Sequence, residues 1–103
     1  MKNTIILTVH NKGNTIKKIL DNLFSNISKL TTKVIIILDG CTDNTSTIVN
    51  EFFKVNKHLV ESNIIITNDI WETRANNLGL KKVITEYATI IQDDMLIKQK
   101  NWD

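Results

Sequence analysis

Two adjacent carboxylates near the end of the chain are the first residues whose type and spacing could do chemistry. Asp93 and Asp94 come directly after Tyr87–Gln92, a mostly apolar, β-branched run with the length of a strand. Neighbouring carboxylates repel each other unless a cation or hydrogen bonds compensate their charge. A divalent cation that carries phosphates is one such partner. A helix N-cap or a solvated turn is the alternative, so the pair indicates either a metal site or a polar turn.

Other polar side chains also follow strand-like segments, and each has a binding interpretation and an ordinary one. Asp39 ends the most apolar segment and precedes Gly40, so it either forms a turn or accepts hydrogen bonds from a base or ribose. His10 is either a turn residue or a group that stacks on a base or donates a hydrogen bond. Arg74, near the start of a predicted helix, is either exposed or binds phosphate beside the helix N-terminus.

Strand-like and helical patterns alternate along the chain. Strands are predicted at Thr4–Val9, Val34–Leu38, Asn63–Thr67 and Tyr87–Gln92. The three segments between them repeat apolar residues at helical spacing and begin at the candidate caps Asn14 or Thr15, Asp43 or Thr45, and Asp69 with Glu72. This β-α-β-α-β-α-β order predicts an α/β fold, a Rossmann-like three-layer sandwich with right-handed crossovers. A parallel sheet in strand order 3-2-1-4 would bring the polar strand ends around one crevice.

The third predicted helix contains residues that do not favour helices. Its apolar residues include Trp71 and Ala75, which we expect on the side that packs. Asn76 and Asn77 are poor helix formers, which indicates a polar role toward the crevice. Gly79 costs about 1 kcal/mol relative to alanine, and this predicts a close approach of the helix to the sheet.

Length and composition exclude several classes of protein. The chain has 103 residues, about one domain, and a net charge of +2, which is too small to indicate nucleic-acid binding. Cys41 is its one cysteine, which rules out an intrachain disulfide and fits a reducing compartment.

No apolar run approaches the roughly 20 residues of a membrane span. We therefore predict a cytoplasmic protein with no transmembrane segment, and peripheral attachment to a membrane stays open. The G-x-G-x-x-G, P-loop and zinc-ligand patterns are absent.

Four segments occur in the order found in one known family. They are TVHN, VIIILDGCTDNT, ETRANNLGLK and YATIIQDDM. Together they resemble the N-terminal, nucleotide-binding half of family-2 glycosyltransferases of the GT-A fold. The second segment is similar to the family's D-G-S-T-D-x-T, the third to its A-x-N-x-G-L helix, and the fourth to the strand before its D-x-D metal motif. Here that motif reads Gln92-Asp93-Asp94, with an amide in place of one carboxylate.

The resemblance implies a function and a set of site residues. The chain would bind a nucleotide-diphosphate sugar with a divalent metal, Mn²⁺ or Mg²⁺, for glycosyl transfer to an unknown acceptor. Asp94 would hold the metal that bridges the diphosphate. The nucleotide-binding residues would be Thr8, His10, Asp39, Arg74, Asn77 and Asp93. In this sequence Asn76 stands where the family often has arginine, and Arg74 lies two positions earlier.

The family's catalytic base and acceptor site lie beyond its metal motif, whereas this chain ends at Asp103. We therefore expect residues 1–103 to be one nucleotide-sugar-binding domain that lacks the acceptor half and does not transfer sugar alone, so its catalytic residues are unknown. The apolar edge of strand four would favour a homo-oligomer. The alternative is a non-catalytic nucleotide-binding or interaction module. A nucleotidyl transferase would need a glycine-rich, basic loop after strand one, and a receiver domain would need acids where His10 stands.

Overall fold

The computed structural model describes residues 2–56 and 60–93. Its strands and helices, in chain order, are β1 (Asn3–Val9), α1 (Ile16–Asn26), β2 (Thr31–Asp39), α2 (Thr45–Val55), β3 (Glu61–Thr67), α3 (Glu72–Leu80) and β4 (Tyr87–Gln92). The predicted alternation of strands and helices is confirmed. None of the helices in the described part is long and apolar enough to cross a membrane.

The four strands form one parallel sheet in the order β3-β2-β1-β4, as predicted. Because parallel neighbours require a crossover, each connection between sheet strands passes through one of the helices. Thr8 pairs in register with Ile37 of β2 and with Gln92 of β4. The carboxyl ends of these three strands therefore lie side by side at one edge of the sheet.

Side chains from β1 and β2 alternate between two apolar layers, one on each face of the sheet. On one face Ile5, Leu7 and Val9 pack with the buried residues of α1 and α2. On the other face Ile6 and the β2 residues of the same layer pack with Ala75 of α3. Successive strand residues point to opposite faces, so a central strand covered on both faces is apolar throughout. The three-layer sandwich is confirmed.

Helix α3 lies very close to the sheet at Gly79. A Cβ atom at this position would come within 2.8 Å of Ile6 Cγ2 and 3.1 Å of Ile37 Cδ1. Both isoleucines are fully buried, so moving either side chain away would disturb the packing of the core. The close approach that the glycine predicts is confirmed.

Several details of the helices and strands differ from the predictions. The predicted capping pair of Asp69 and Glu72 is wrong, because α3 begins after Trp71 and no side chain caps it. Asp69 instead adopts a φ of 56° in the preceding loop. We expected Trp71 to pack against the sheet, but its side chain is 76% exposed. Strand β2 begins at Thr31, three residues before the predicted Val34, because its first residues also pair with β1 and β3.

Candidate functional site

A cavity of about 490 Å³ opens at the carboxyl edge of the sheet, beside the start of α3. This volume lies in the range of small-molecule sites. The residues that line this carboxyl-edge cavity are Thr8, His10, Lys12, Asp39, Asp69, Trp71, Glu72 and Asp93. The structure thus brings four of the predicted nucleotide-binding residues together, from the ends of three different strands.

Asp39 is a buried carboxylate that accepts three hydrogen bonds. Its Oδ1 accepts from the Thr67 hydroxyl at 2.7 Å and from the Ile70 N–H at 2.8 Å. Its Oδ2 accepts from the Trp71 N–H at 2.9 Å. Burial alone would raise the pKa of Asp39, but these hydrogen bonds favour the ionised form, and the pKa lies below its ordinary value of 3.8. Asp39 is therefore ionised at neutral pH and holds the loop between β3 and α3.

The loop that Asp39 holds has an unusual backbone. Trp71 has a φ of 72° and a ψ of 159°, a conformation that is essentially restricted to glycine and costs about 1–3 kcal/mol for other residues. Gly40 has a φ of 60°, and a Cβ atom there would lie 2.9 Å from Asp69 Cβ. The tight turn predicted at Gly40 is confirmed, and its lack of a side chain lets the loop approach β2.

His10 connects the ends of β1, β2 and β4. Its backbone N–H donates to Asp93 Oδ2 at 3.1 Å. Its ring Nδ1 lies 2.6 Å from the backbone oxygen of Asp39. Since a carbonyl oxygen only accepts, Nδ1 carries a proton and donates in this bond. The ring is therefore held in one orientation at the wall of the carboxyl-edge cavity.

The loops after β1 and β2 are joined by a second set of hydrogen bonds, which the sequence analysis missed. Asn11 Oδ1 accepts from the Thr42 N–H at 2.8 Å, and Asp43 Oδ2 accepts from the Gly13 N–H at 3.0 Å. Asp43 Oδ1 also accepts from the N–H of Thr45, the first residue of α2, at 2.9 Å. Hydrogen bonds from the Thr45 hydroxyl and backbone lower the pKa of Asp43. This frame holds together the two loops that follow β1 and β2, next to His10.

The two asparagines of α3 have different environments. The Thr8 hydroxyl donates to Asn76 Oδ1 at 2.8 Å, which ties α3 to the end of β1. Asn77 and Arg74 are exposed, and neither lines the carboxyl-edge cavity. The polar role expected of this asparagine pair therefore belongs to Asn76 in the described structure, and nucleotide binding by Asn77 and Arg74 stays a prediction.

The predicted metal ligand Asp94 lies outside the described residues. Within residues 2–56 and 60–93, no group of three or more His, Cys, Asp or Glu side chains is arranged to hold a metal ion. Asp93 is described, and its Oδ2 accepts from His10 at the wall of the cavity. Asp93 is thus one carboxylate of this cavity lining, and its orientation is fixed by a backbone N–H.

Two other cavities help to locate the site. A larger one of about 620 Å³ lies at the opposite edge of the sheet and is lined by Phe24, Ile27, Ser28, Lys29, Thr31, Thr32 and Val60. Among these side chains there is no carboxylate. A third cavity, of about 580 Å³, shares His10 and Asp69 with the carboxyl-edge cavity and lies at the same edge, against the ends of β2 and β3 and the loops that follow them. Parallel sheets bind ligands beyond the carboxyl ends of their strands. The carboxyl edge is therefore the better candidate for a ligand site than the cavity of about 620 Å³ at the opposite edge.

Comparisons with known proteins agree with this fold. The model of glycosyl transferase family 2 matches residues 4–102. The chain belongs to glycosyl transferase family 2, and the resemblance seen in the sequence is confirmed.

Individual relatives match nearly the whole chain but are much longer. The chain is 28% identical over 98 residues to glycosyltransferase GlyA of Streptococcus pneumoniae serotype 4, a match that covers 95% of this chain and 14% of GlyA. The crystal structure of S. aureus TarS 1-349 superposes with a TM-score of 0.78 at 21% identity, over 96% of this chain and 29% of that one. A longer TarS structure gives 0.75 at 24% identity, over 97% and 18%. These structural similarities show the fold, which is of the GT-A type predicted.

Proposed function

We propose that this chain binds a nucleotide-diphosphate sugar, together with Mn²⁺ or Mg²⁺, as the donor for glycosyl transfer. The observation that carries the proposal is the convergence of Thr8, His10, Asp39 and Asp93 on one cavity of about 490 Å³. Membership of glycosyl transferase family 2 supports the class of reaction.

The nucleoside would lie against the ends of β1 and β2. An ionised carboxylate offers about four acceptor positions, and described residues occupy three of those of Asp39. The remaining position could accept an N–H or O–H group of the nucleoside. The ring of His10 is exposed and fixed by Asp39, so its face can contact a planar group.

The diphosphate would lie near Lys12 and Asp93. Lys12 supplies a cationic side chain to the lining of the cavity. Asp93 has the hard oxygen donors that Mg²⁺ and Mn²⁺ prefer, and such ions use one or two protein carboxylates together with substrate phosphates. The donor chemistry therefore fits a shared metal site, with Asp94 as its proposed protein ligand. A bound divalent cation stabilises the negative charge that develops on the leaving diphosphate.

We also propose that residues 1–103 are the donor-binding unit and that acceptor binding and the catalytic base come from elsewhere. The match to only 14% of the length of GlyA supports the proposal that donor binding is one part of a longer protein. A non-catalytic binding module is not favoured by the family match. Location in the cytoplasm remains a prediction.

Calorimetric titration with UDP, GDP, CDP and ADP, each with and without Mn²⁺, tests the proposal. We expect one nucleotide to bind with metal much more tightly than without it. Asp94→Ala should abolish metal-dependent binding, and Asp93→Ala should weaken it less. Asp21→Ala is the matched control, because Asp21 is exposed on α1, where it forms a surface ion pair with Lys17. Binding that is equal with and without metal would contradict the metal role, and no binding of any nucleotide would contradict the function.

A further inference from the structure

Trp71 is a large aromatic residue that the proposed function has not used. Its side chain is 76% exposed and lines the carboxyl-edge cavity with His10 and Asp93. The three aromatic ring contacts of the described residues all lie among Phe24, Phe52 and Phe53, away from Trp71. An exposed tryptophan that contributes nothing to the core, and yet is held at the wall of a polar cavity, is a candidate ligand contact.

The backbone of Trp71 supports this interpretation. Its φ of 72° is unfavourable for any residue with a side chain. Strain of this kind persists only where surrounding contacts impose it, and here the contact is the hydrogen bond from the Trp71 N–H to Asp39 Oδ2. The Trp71 carbonyl in turn accepts the Ala75 N–H at 2.9 Å and so starts α3. Trp71 is therefore fixed from both sides in a position that a glycine would occupy more easily.

Asp39 is hydrogen-bonded both to the ring of His10 and to the backbone of Trp71. The backbone oxygen of Asp39 binds the ring of His10, and its carboxylate binds the backbone N–H of Trp71. Both rings belong to the lining of the same cavity. An indole ring has one N–H donor and no charge, so it suits a planar, apolar face better than a phosphate.

We infer that Trp71 stacks on the base of the bound nucleotide and that Asp39 is the positioning residue for this contact. The inference rests on the proposed function, since it assigns a role within the same site. Stacking of a base on an aromatic side chain is worth about 1–3 kcal/mol, which corresponds to a factor of roughly 5 to 150 in the dissociation constant.

The first test is fluorescence in the Trp102→Phe variant, in which Trp71 is the one remaining tryptophan of the chain. Its emission should be quenched by the nucleoside diphosphate that binds most tightly, and not by inorganic pyrophosphate. In calorimetry Trp71→Ala should raise the dissociation constant of that nucleotide about 5- to 150-fold, and Trp71→Phe should raise it less. Affinity for pyrophosphate should not change.

A second pair of variants separates the ring from the strained backbone. Trp71→Ala keeps a Cβ atom in the unfavourable conformation, whereas Trp71→Gly does not. We expect the glycine variant to melt several degrees above the alanine variant, while both lose the same nucleotide affinity. A purely structural role for the ring would instead lower stability in both variants and leave affinity unchanged.

The outcomes distinguish this inference from the proposed function. If the unmodified chain binds no nucleoside diphosphate, the proposed function fails, and the stacking role fails with it. If a nucleoside diphosphate binds and Trp71→Ala changes its affinity less than twofold, the stacking role alone is overturned. An effect on a nucleotide sugar but none on the nucleoside diphosphate would place Trp71 against the sugar and would likewise overturn it.

Discussion

Replacing Asp39 by asparagine tests whether this carboxylate holds the loop that forms one wall of the site. An asparagine can keep its oxygen at the Oδ1 position, where it would accept from Thr67 and Ile70. Its NH₂ group would then face the Trp71 N–H, which now donates to Oδ2 at 2.9 Å. The charge-assisted hydrogen bond from the Trp71 N–H to the carboxylate is lost, and two N–H donors then face each other.

The expected loss of stability follows from these contacts. Hydrogen bonds to charged groups contribute about 1.5–3 kcal/mol, and a buried donor left without a partner costs a similar amount. Asp39→Asn should therefore lower the free energy of unfolding at pH 7 by about 2–4 kcal/mol, a large share of the typical 5–15 kcal/mol. In thermal melts this corresponds to a decrease of roughly 10–25 °C. Asp21→Asn, at an exposed position, should change the stability by less than about 0.5 kcal/mol.

The pH dependence gives a second, independent measurement. The pKa of Asp39 lies below its ordinary value of 3.8 in the folded chain, so the folded state binds the proton more weakly than the unfolded state does. The stability that the carboxylate contributes is therefore complete above about pH 4 to 5 and is lost as the pH falls through the lowered pKa. Urea denaturation from pH 7 to pH 2 should show the difference between the unmodified chain and Asp39→Asn shrinking below pH 4. Equal stabilities at pH 7, or a difference that does not change with pH, would refute the reasoning.

Two further predictions concern the sheet. Gly79→Ala should lower the free energy of unfolding by about 1 kcal/mol in urea denaturation, because overpacking against Ile6 and Ile37 outweighs the gain in helix propensity; a more stable variant would contradict the close approach. Strand β4 is an edge of the four-stranded sheet, and on it Tyr87 and Ile90 are 54% and 43% exposed. An exposed apolar edge favours pairing with another chain, so light scattering should detect self-association at high concentration. Ile90→Lys should reduce this association. A strictly monomeric unmodified chain would contradict this use of the edge.

The fold was predictable because its signals are local and repeated. The branched, apolar run Val34–Leu38 is typical of a strand covered on both faces, and helical spacing between such runs implies parallel crossovers. The candidate site followed from the same argument, since His10, Asp39 and Asp93 come directly after strands whose carboxyl ends must share an edge.

The contacts that organise the site were not predictable, because they join distant parts of the chain. The hydrogen-bond donors to Asp39 come from Thr67, Ile70 and Trp71, about thirty residues further along. No local sequence pattern predicts the positive φ of Trp71, because the hydrogen bond to Asp39 imposes this conformation against the intrinsic preference of tryptophan.

The predicted capping pair failed for a related reason. Asp69 and Glu72 have the right spacing for a capping box, but the loop turns at Asp69 with a φ of 56°, so the helix starts later than the pattern indicates. The choice between Asn76 and Asn77 could not be made from sequence either, because both are poor helix formers. The hydrogen bond from Thr8 depends on how α3 is rotated against β1.

The central claim is that a nucleotide-diphosphate binds at the carboxyl edge of the sheet, and amide chemical-shift mapping of the isotope-labelled chain tests it most directly. The nucleoside diphosphate that binds most tightly with Mg²⁺ should shift the amides of Thr8, His10, Asp39 and Trp71, which line the cavity of about 490 Å³. The amide of Phe24, beside the larger cavity at the opposite edge, should not shift. Shifts confined to the opposite edge, or spread evenly over the chain, would contradict the account.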